Sequence, residues 1–129
     1  MRPLPPAASA ALALALLLAS APPALAGGDG RALFERRCAQ CHAVSAGAAP
    51  MAGPNLRGVV GRRVGGDPGF GYSPVLEGAG RDGDAWDLER LVRFLEDPEE
   101  MYPGLWMGNN GLRAEAKRDA LARFLEGQR

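Results

Sequence analysis

The chain has 129 residues and carries 15 basic and 15 acidic side chains, for a formal charge of zero. That length allows one domain at most. The even charge balance argues against nucleic acid as a partner.

Residues 1–26 read as an address. Arg2 gives a minimal positive start, and Ala7 to Ala19 is an apolar run broken only by Ser9. Pro22 and Pro23 then precede Ala24-Leu25-Ala26, a small-x-small cleavage site. The run falls short of the roughly 20 residues that span a bilayer. A cleaved signal peptide over 1–26 is therefore expected, followed by one domain over 27–129; the alternative is an uncleaved membrane anchor. Removing Arg2 from the 15 basic residues leaves 14 against 15 acidic ones, so the remaining chain has a charge of −1. A chain this small buries little core by itself.

Asp29 is positioned to cap a helix that carries Leu33 and Phe34. Gly30 in its first turn allows two readings. It could be a frayed start, or a close crossing with another helix that a side chain would block. The helix runs into Cys38-Ala39-Gln40-Cys41-His42, the attachment signature of c-type haem. Each thiol can add to one porphyrin vinyl group, and the short arc between them turns the next imidazole toward the iron as an axial ligand. These are the only two cysteines and the only histidine in the chain. A structural zinc site needs four ligands, a thioredoxin-like motif needs a βαβ setting, and a disulfide over so short a loop would staple almost nothing. Export fits the same chemistry, since attachment to this motif is expected outside the bacterial cytoplasm. A bound porphyrin would act as the missing core, so the apo chain is predicted to fold poorly.

From Ala43 to Gly71 the chain is rich in glycine and proline and reads as a long loop, which a compact domain tolerates only for a function such as wrapping a cofactor. Ser73-Pro74 opens a short helix with a serine cap and proline at its first position; it is expected to run through Leu76 and to stop at Gly78 and Gly80. Asp84-Ala85-Trp86-Asp87 opens a better one, with Leu88, Leu91, Val92 and Leu95 on a single apolar face, ended by Pro98. Residues 99–111 read as irregular. A last helix is expected from about Leu112 to Glu126, with Ala120, Leu121, Phe124 and Leu125 inward. No segment shows the alternation of a strand.

With C-A-Q-C-H, G-P-N-L-R-G-V-V-G-R, G-F-G-Y-S-P, W-D-L-E-R-L-V-R-F-L-E-D-P and P-G-L-W-M in this order, the chain resembles the class I cytochromes c, in their mitochondrial and bacterial c2-like branch. The likeness spans Gly30 to Leu125. It implies an all-α fold in which the N- and C-terminal helices cross and loops wrap one covalently bound haem c. By resemblance, Cys38 and Cys41 are the thioether anchors, His42 the proximal ligand and Met107 the distal one. Pro54 matches the carbonyl that accepts the other N–H of the proximal imidazole, which fixes the ring and raises its basicity. Tyr72, Trp86 and Arg62 match groups facing the haem propionates. Gly30, Phe34, Leu121 and Phe124 match the helix crossing. Each has a plainer reading: Trp86 as core, Tyr72 as a surface ring, Arg62 beside Arg63 as a solvated pair, and Met51 or Met101 in place of Met107.

The chain also departs from the family pattern. Phe94 stands where a tyrosine reaching the methionine sulfur is common, Asn109 where an aromatic shields the haem edge, and Leu76 where an asparagine is frequent. Together they suggest a retuned distal side. Lys117 is the only lysine, and Glu99, Glu100 and Trp106 occupy places usually basic, so electrostatic steering by a basic patch is not expected. Trp106 reads either as an apolar docking anchor or as an indole folded over the haem.

These features imply a periplasmic, monomeric, single-haem electron carrier that exchanges electrons with redox protein donors and acceptors, and not an enzyme. Two other readings stand beside it. One is a haem protein with a labile methionine ligand, used in ligand sensing or peroxide chemistry. The other is a docked cytochrome subunit of a larger oxidoreductase.

Overall fold

A computed structural model of the chain describes residues 1–4 and 28–129. The apolar run and cleavage site of the expected signal peptide lie outside the described residues. Five helices follow in order: α1 (Gly30–Arg37), α2 (Pro74–Arg81), α3 (Leu88–Glu96), α4 (Pro98–Met101) and α5 (Glu115–Glu126). Among the described residues there is no strand, only a single bridge pairing Arg63 with Ala85. α5 lies between α1 and α3 and packs on both. It therefore buries more than one stripe: Leu121 and Ala122 are fully enclosed, and Leu125 is buried beside them.

Asp29 caps α1 as expected, its carboxylate accepting from the Arg31 N–H at 2.9 Å. Gly30 resolves as a crossing. A Cβ there would press on the Ala120 carbonyl oxygen and stand 2.7 Å from the Phe124 Cβ. Phe34 and Phe124 complete the contact, with ring centroids 5.6 Å apart. Because a backbone carbonyl cannot swing aside, Gly30→Ala is expected to cost roughly 1–3 kcal/mol, as overpacking does in well-packed cores. Urea denaturation of the intact protein measures it.

Three boundaries differ from the sequence reading. α2 runs through Gly78 and Gly80 to Arg81. Gly80 is there for proximity: a Cβ would meet the Val64 carbonyl oxygen. The glycine lets the helix lie on the loop below it, and does not stop it. Pro98 ends α3 but also opens α4, a single turn inside the stretch expected to be irregular. Asp97 caps it by accepting from the Glu100 N–H at 3.0 Å. α5 starts at Glu115 and not near Leu112. Gly111 is left-handed, with φ +70°, and Arg118 Nη1 takes the carbonyls of Leu112 and Arg113 at 3.0 and 2.6 Å. A buried guanidinium thus occupies acceptors that an earlier helix start would need.

Candidate functional site

The helix end at Cys38 carries directly into the attachment motif. The Cys41 and His42 N–H groups both donate to the Cys38 carbonyl, at 3.0 and 2.9 Å. This turn puts Cys38, Cys41 and His42 on the wall of one cavity of about 420 Å³. Burial raises the Cys38 thiol to about 11, and its neighbour Cys41 adds to the effect. Cys38 is thus a thiol, not a thiolate, at neutral pH.

His42 is oriented from behind. Its Nδ1 lies 2.8 Å from the Pro54 carbonyl. A carbonyl only accepts, so Nδ1 carries the proton and Nε2 is left with a lone pair, the form that binds a metal. Burial lowers the imidazole pKa; the Pro54 bond opposes that shift and the Arg62 charge adds to it. The backbone crowds the ring from the same side: a Cβ on Gly53 would press on His42 Cε1 and stand 2.7 Å from Nδ1. Gly53 itself is tied to the motif, donating to the Cys41 carbonyl at 2.8 Å.

Met107 lines the same cavity. Its two rivals do not line this space: Met51 is 51 % exposed on the surface, and Met101 packs against the core. Leu76, Leu91, Leu95, Leu121 and Leu125 give the cavity an apolar lining. Trp86 and Phe94 meet edge to face, with centroids 4.9 Å apart.

A polar corner interrupts this lining. Arg62 is held by a bond from Nη1 to the Asn55 carbonyl at 3.0 Å, so it is not a loose surface pair with Arg63. The Tyr72 hydroxyl accepts from the Asp67 N–H at 3.1 Å, which leaves its own proton free to donate. Desolvation raises its pKa, so the phenol keeps that proton. All eight residues singled out in the sequence reach this one cavity, and so do the departures Leu76, Phe94, Trp106 and Asn109.

The sequence reading missed Ser73 as a member of the site. It precedes Pro74 as an N-cap, but its side chain caps nothing. The residue is 2 % exposed and lines the cavity, and its buried Oγ has no partner. A buried hydroxyl without a partner is costly, and beside Tyr72 and Arg62 it suits an anionic group at the edge of a ligand. Its place directly after Tyr72 in the same turn was the available signal. Trp106, for its part, is not folded inward; it stands 71 % exposed at the cavity mouth.

The Cytochrome c family model matches residues 28–127. The chain belongs to the cytochrome c family. It is 38 % identical over 96 residues to the cytochrome c2 of Agrobacterium tumefaciens (strain II Chrys), covering 74 % of this chain and 86 % of that protein. It is 39 % identical over 90 residues to the cytochrome c-550 of Ancylobacter novellus, covering 70 % and 84 %. With the cytochrome c of Stellaria longipes it shares 37 % identity over 97 residues, covering 75 % and 87 %. Members of the family are electron carriers and not enzymes, bind one haem c covalently through the cysteine pair, and pass electrons to and from redox partners. The cavity fits that group: two thiols on one turn, a neutral imidazole with a free Nε2, an apolar interior, and a polar corner with an unpartnered hydroxyl.

Proposed function

We propose that this protein is an exported, periplasmic, monomeric carrier of single electrons whose haem iron is ligated by His42 and Met107. The observation that carries the reading is that one methionine, Met107, shares the cavity with His42 while Met51 and Met101 do not. In this reading the haem supplies reversible one-electron chemistry. Cys38 and Cys41 anchor it, Pro54 orients His42, Arg62 balances the charge of its acidic edge, and Tyr72, Trp86 and Ser73 supply hydrogen-bond donors there. The periplasmic location rests on the expected signal peptide over 1–26 and on bacterial relatives named cytochrome c2 and cytochrome c-550. No helix among the described residues is long and apolar enough to cross a membrane.

Intact mass and an absorption spectrum of the exported protein test the whole reading. The expected mass is that of residues 27–129 plus one covalent haem. The expected ferric spectrum contains the charge-transfer band of a thioether-ligated iron. A mass that retains residues 1–26 overturns the cleavage, and a missing band overturns the ligand set.

Phe94 tunes the methionine ligand. Phe94→Tyr adds a hydrogen-bond donor to the wall shared with Met107. A donor to the thioether weakens its support of Fe(III), so the reduction potential is expected to rise. The rise should be on the order of tens of millivolts, the one-electron equivalent of a hydrogen bond of about 1 kcal/mol. An unchanged potential in voltammetry removes Phe94 from the account.

Docking follows from the mouth of the cavity. Trp106 is exposed there, and indole anchors carry much of the energy of interfaces. Glu99 and Glu100 are exposed and the chain has one lysine, so Arg37 is the exposed cation on the cavity lining, a small source of long-range attraction to an acidic partner. Electron-transfer rates with a redox partner are expected to change little with added salt and to fall in Trp106→Ala. A steep fall with salt would point instead to charge steering.

A further inference from the structure

The segment that carries Met107 is weakly tied to the rest of the chain. Among the described residues, none of the backbone–backbone hydrogen bonds outside helices involves positions 106–110. Its place is set by what grips it at either end. On the far end, Asn110 Oδ1 accepts from the Leu112 N–H at 2.8 Å. The near end is Tyr102, five residues before Met107.

Tyr102 closes a three-membered polar ring that nothing in the haem site uses. Arg90 Nη1 donates to Asp84 Oδ2 at 2.8 Å and to the Tyr102 hydroxyl at 2.9 Å. That hydroxyl donates in turn to Asp84 Oδ2 at 3.2 Å. Each member sits on a different segment. Arg90 is on α3, and Tyr102 follows α4. Asp84 lies in the stretch bound to the loop below by the Val64 N–H, which donates to the Asp84 carbonyl at 2.9 Å. The Tyr102 ring is 6 % exposed. It packs 6.2 Å from the Trp86 ring and 6.1 Å from Phe94, two walls of the cavity. After it the chain turns at once. The Leu105 N–H donates to the Tyr102 carbonyl at 3.1 Å, and the Gly104 N–H to Glu99 Oε1 at 3.0 Å.

We propose that Tyr102, clamped by Asp84 and Arg90, is a positioning residue for Met107: the clamp fixes the start of the segment that holds the thioether over the cavity. The proposal rests on Met107 being the distal ligand. Its physical basis is a phenol hydrogen-bonded to two charged groups, a stronger contact than a neutral pair, placed where the following residues have few bonds of their own. Tyr102→Phe keeps the ring and its packing and leaves the Arg90–Asp84 pair in place, so only the tether is lost. The ratio of Met-detached to Met-bound protein should then rise roughly tenfold, as for loss of one charge-assisted bond.

The test follows the ferric holoprotein through a urea titration by two signals, the thioether charge-transfer band and the helical circular dichroism. In Tyr102→Phe the band is expected to vanish at clearly lower urea than in the parent, with the helical midpoint moving less. Asp84→Asn should move the band in the same direction. Arg123→Ala, which breaks only the exposed pair with Asp119, should not. If band and helix shift together, Tyr102 is a core residue only and the proposal fails. It fails equally if neither signal moves. A parent protein with no band at all would remove the ligand reading itself, which separates that failure from failure of the clamp.

Discussion

A chain with Cys38 and Cys41 both replaced by serine is expected to lose its haem on purification and, with it, most of its helical circular dichroism at 25 °C. The reason is where the cavity sits. Its lining includes Leu76, Trp86, Leu91, Phe94, Leu95, Leu121 and Leu125, half of the buried hydrophobic core. A void costs about 24 cal/mol per Å³ in a protein interior, so about 420 Å³ corresponds to roughly 10 kcal/mol if left empty. The cavity opens to solvent past Trp106, so this is an upper figure. It still equals the total stability of an ordinary domain, about 5–15 kcal/mol. The covalent links matter because they hold the filling group beside its cavity at a high effective concentration. A cooperative thermal transition in the haem-free variant, with helical content near that of the holoprotein, would show that the chain carries a core of its own.

The site was more legible in the sequence than the helix boundaries, and for a chemical reason. Cys38, Cys41 and His42 are one short motif whose spacing is set by the porphyrin, so local sequence contains the whole constraint. Pro54, Tyr72, Trp86, Arg62 and Met107 came from their order in a longer family pattern, and all reach the same cavity. Caps also read well: Asp29 and Asp87 accept where a capping carboxylate should. What misled was side chains and glycines whose partners are distant in sequence. Gly80 reads locally as a helix stop, yet the cause of its presence is the Val64 carbonyl. Nothing local marks Arg118, yet it is 5 % exposed and takes the carbonyls before α5. Ser73 reads as a cap, yet its hydroxyl caps nothing and is buried without a partner. Asp84, Arg90 and Tyr102 follow no helical or strand period, so their ring appears only once three segments are brought together.

Replacing Met107 should give the largest functional change. Met107→His is expected to remain low-spin and to lower the reduction potential on the order of a few hundred millivolts. A thioether favours Fe(II) where a second imidazole supports Fe(III), and axial ligands move haem potentials over a range of about 0.8 V. Met107→Ala should instead open the coordination site. Its ferric form should turn high-spin and bind cyanide or azide much faster than the parent, which must first release its methionine. Met101→Leu and Met51→Leu provide the contrast. Met101 packs against the core and Met51 is 51 % exposed, so both variants should keep the charge-transfer band and the parental potential. If the band survives in Met107→Ala but disappears in either leucine variant, the ligand assignment moves to that residue. The site would then owe its potential to a segment other than the one Tyr102 anchors. The two sets of variants are therefore best measured together: ligand replacement asks which sulfur binds, and the Tyr102 series asks what keeps it there.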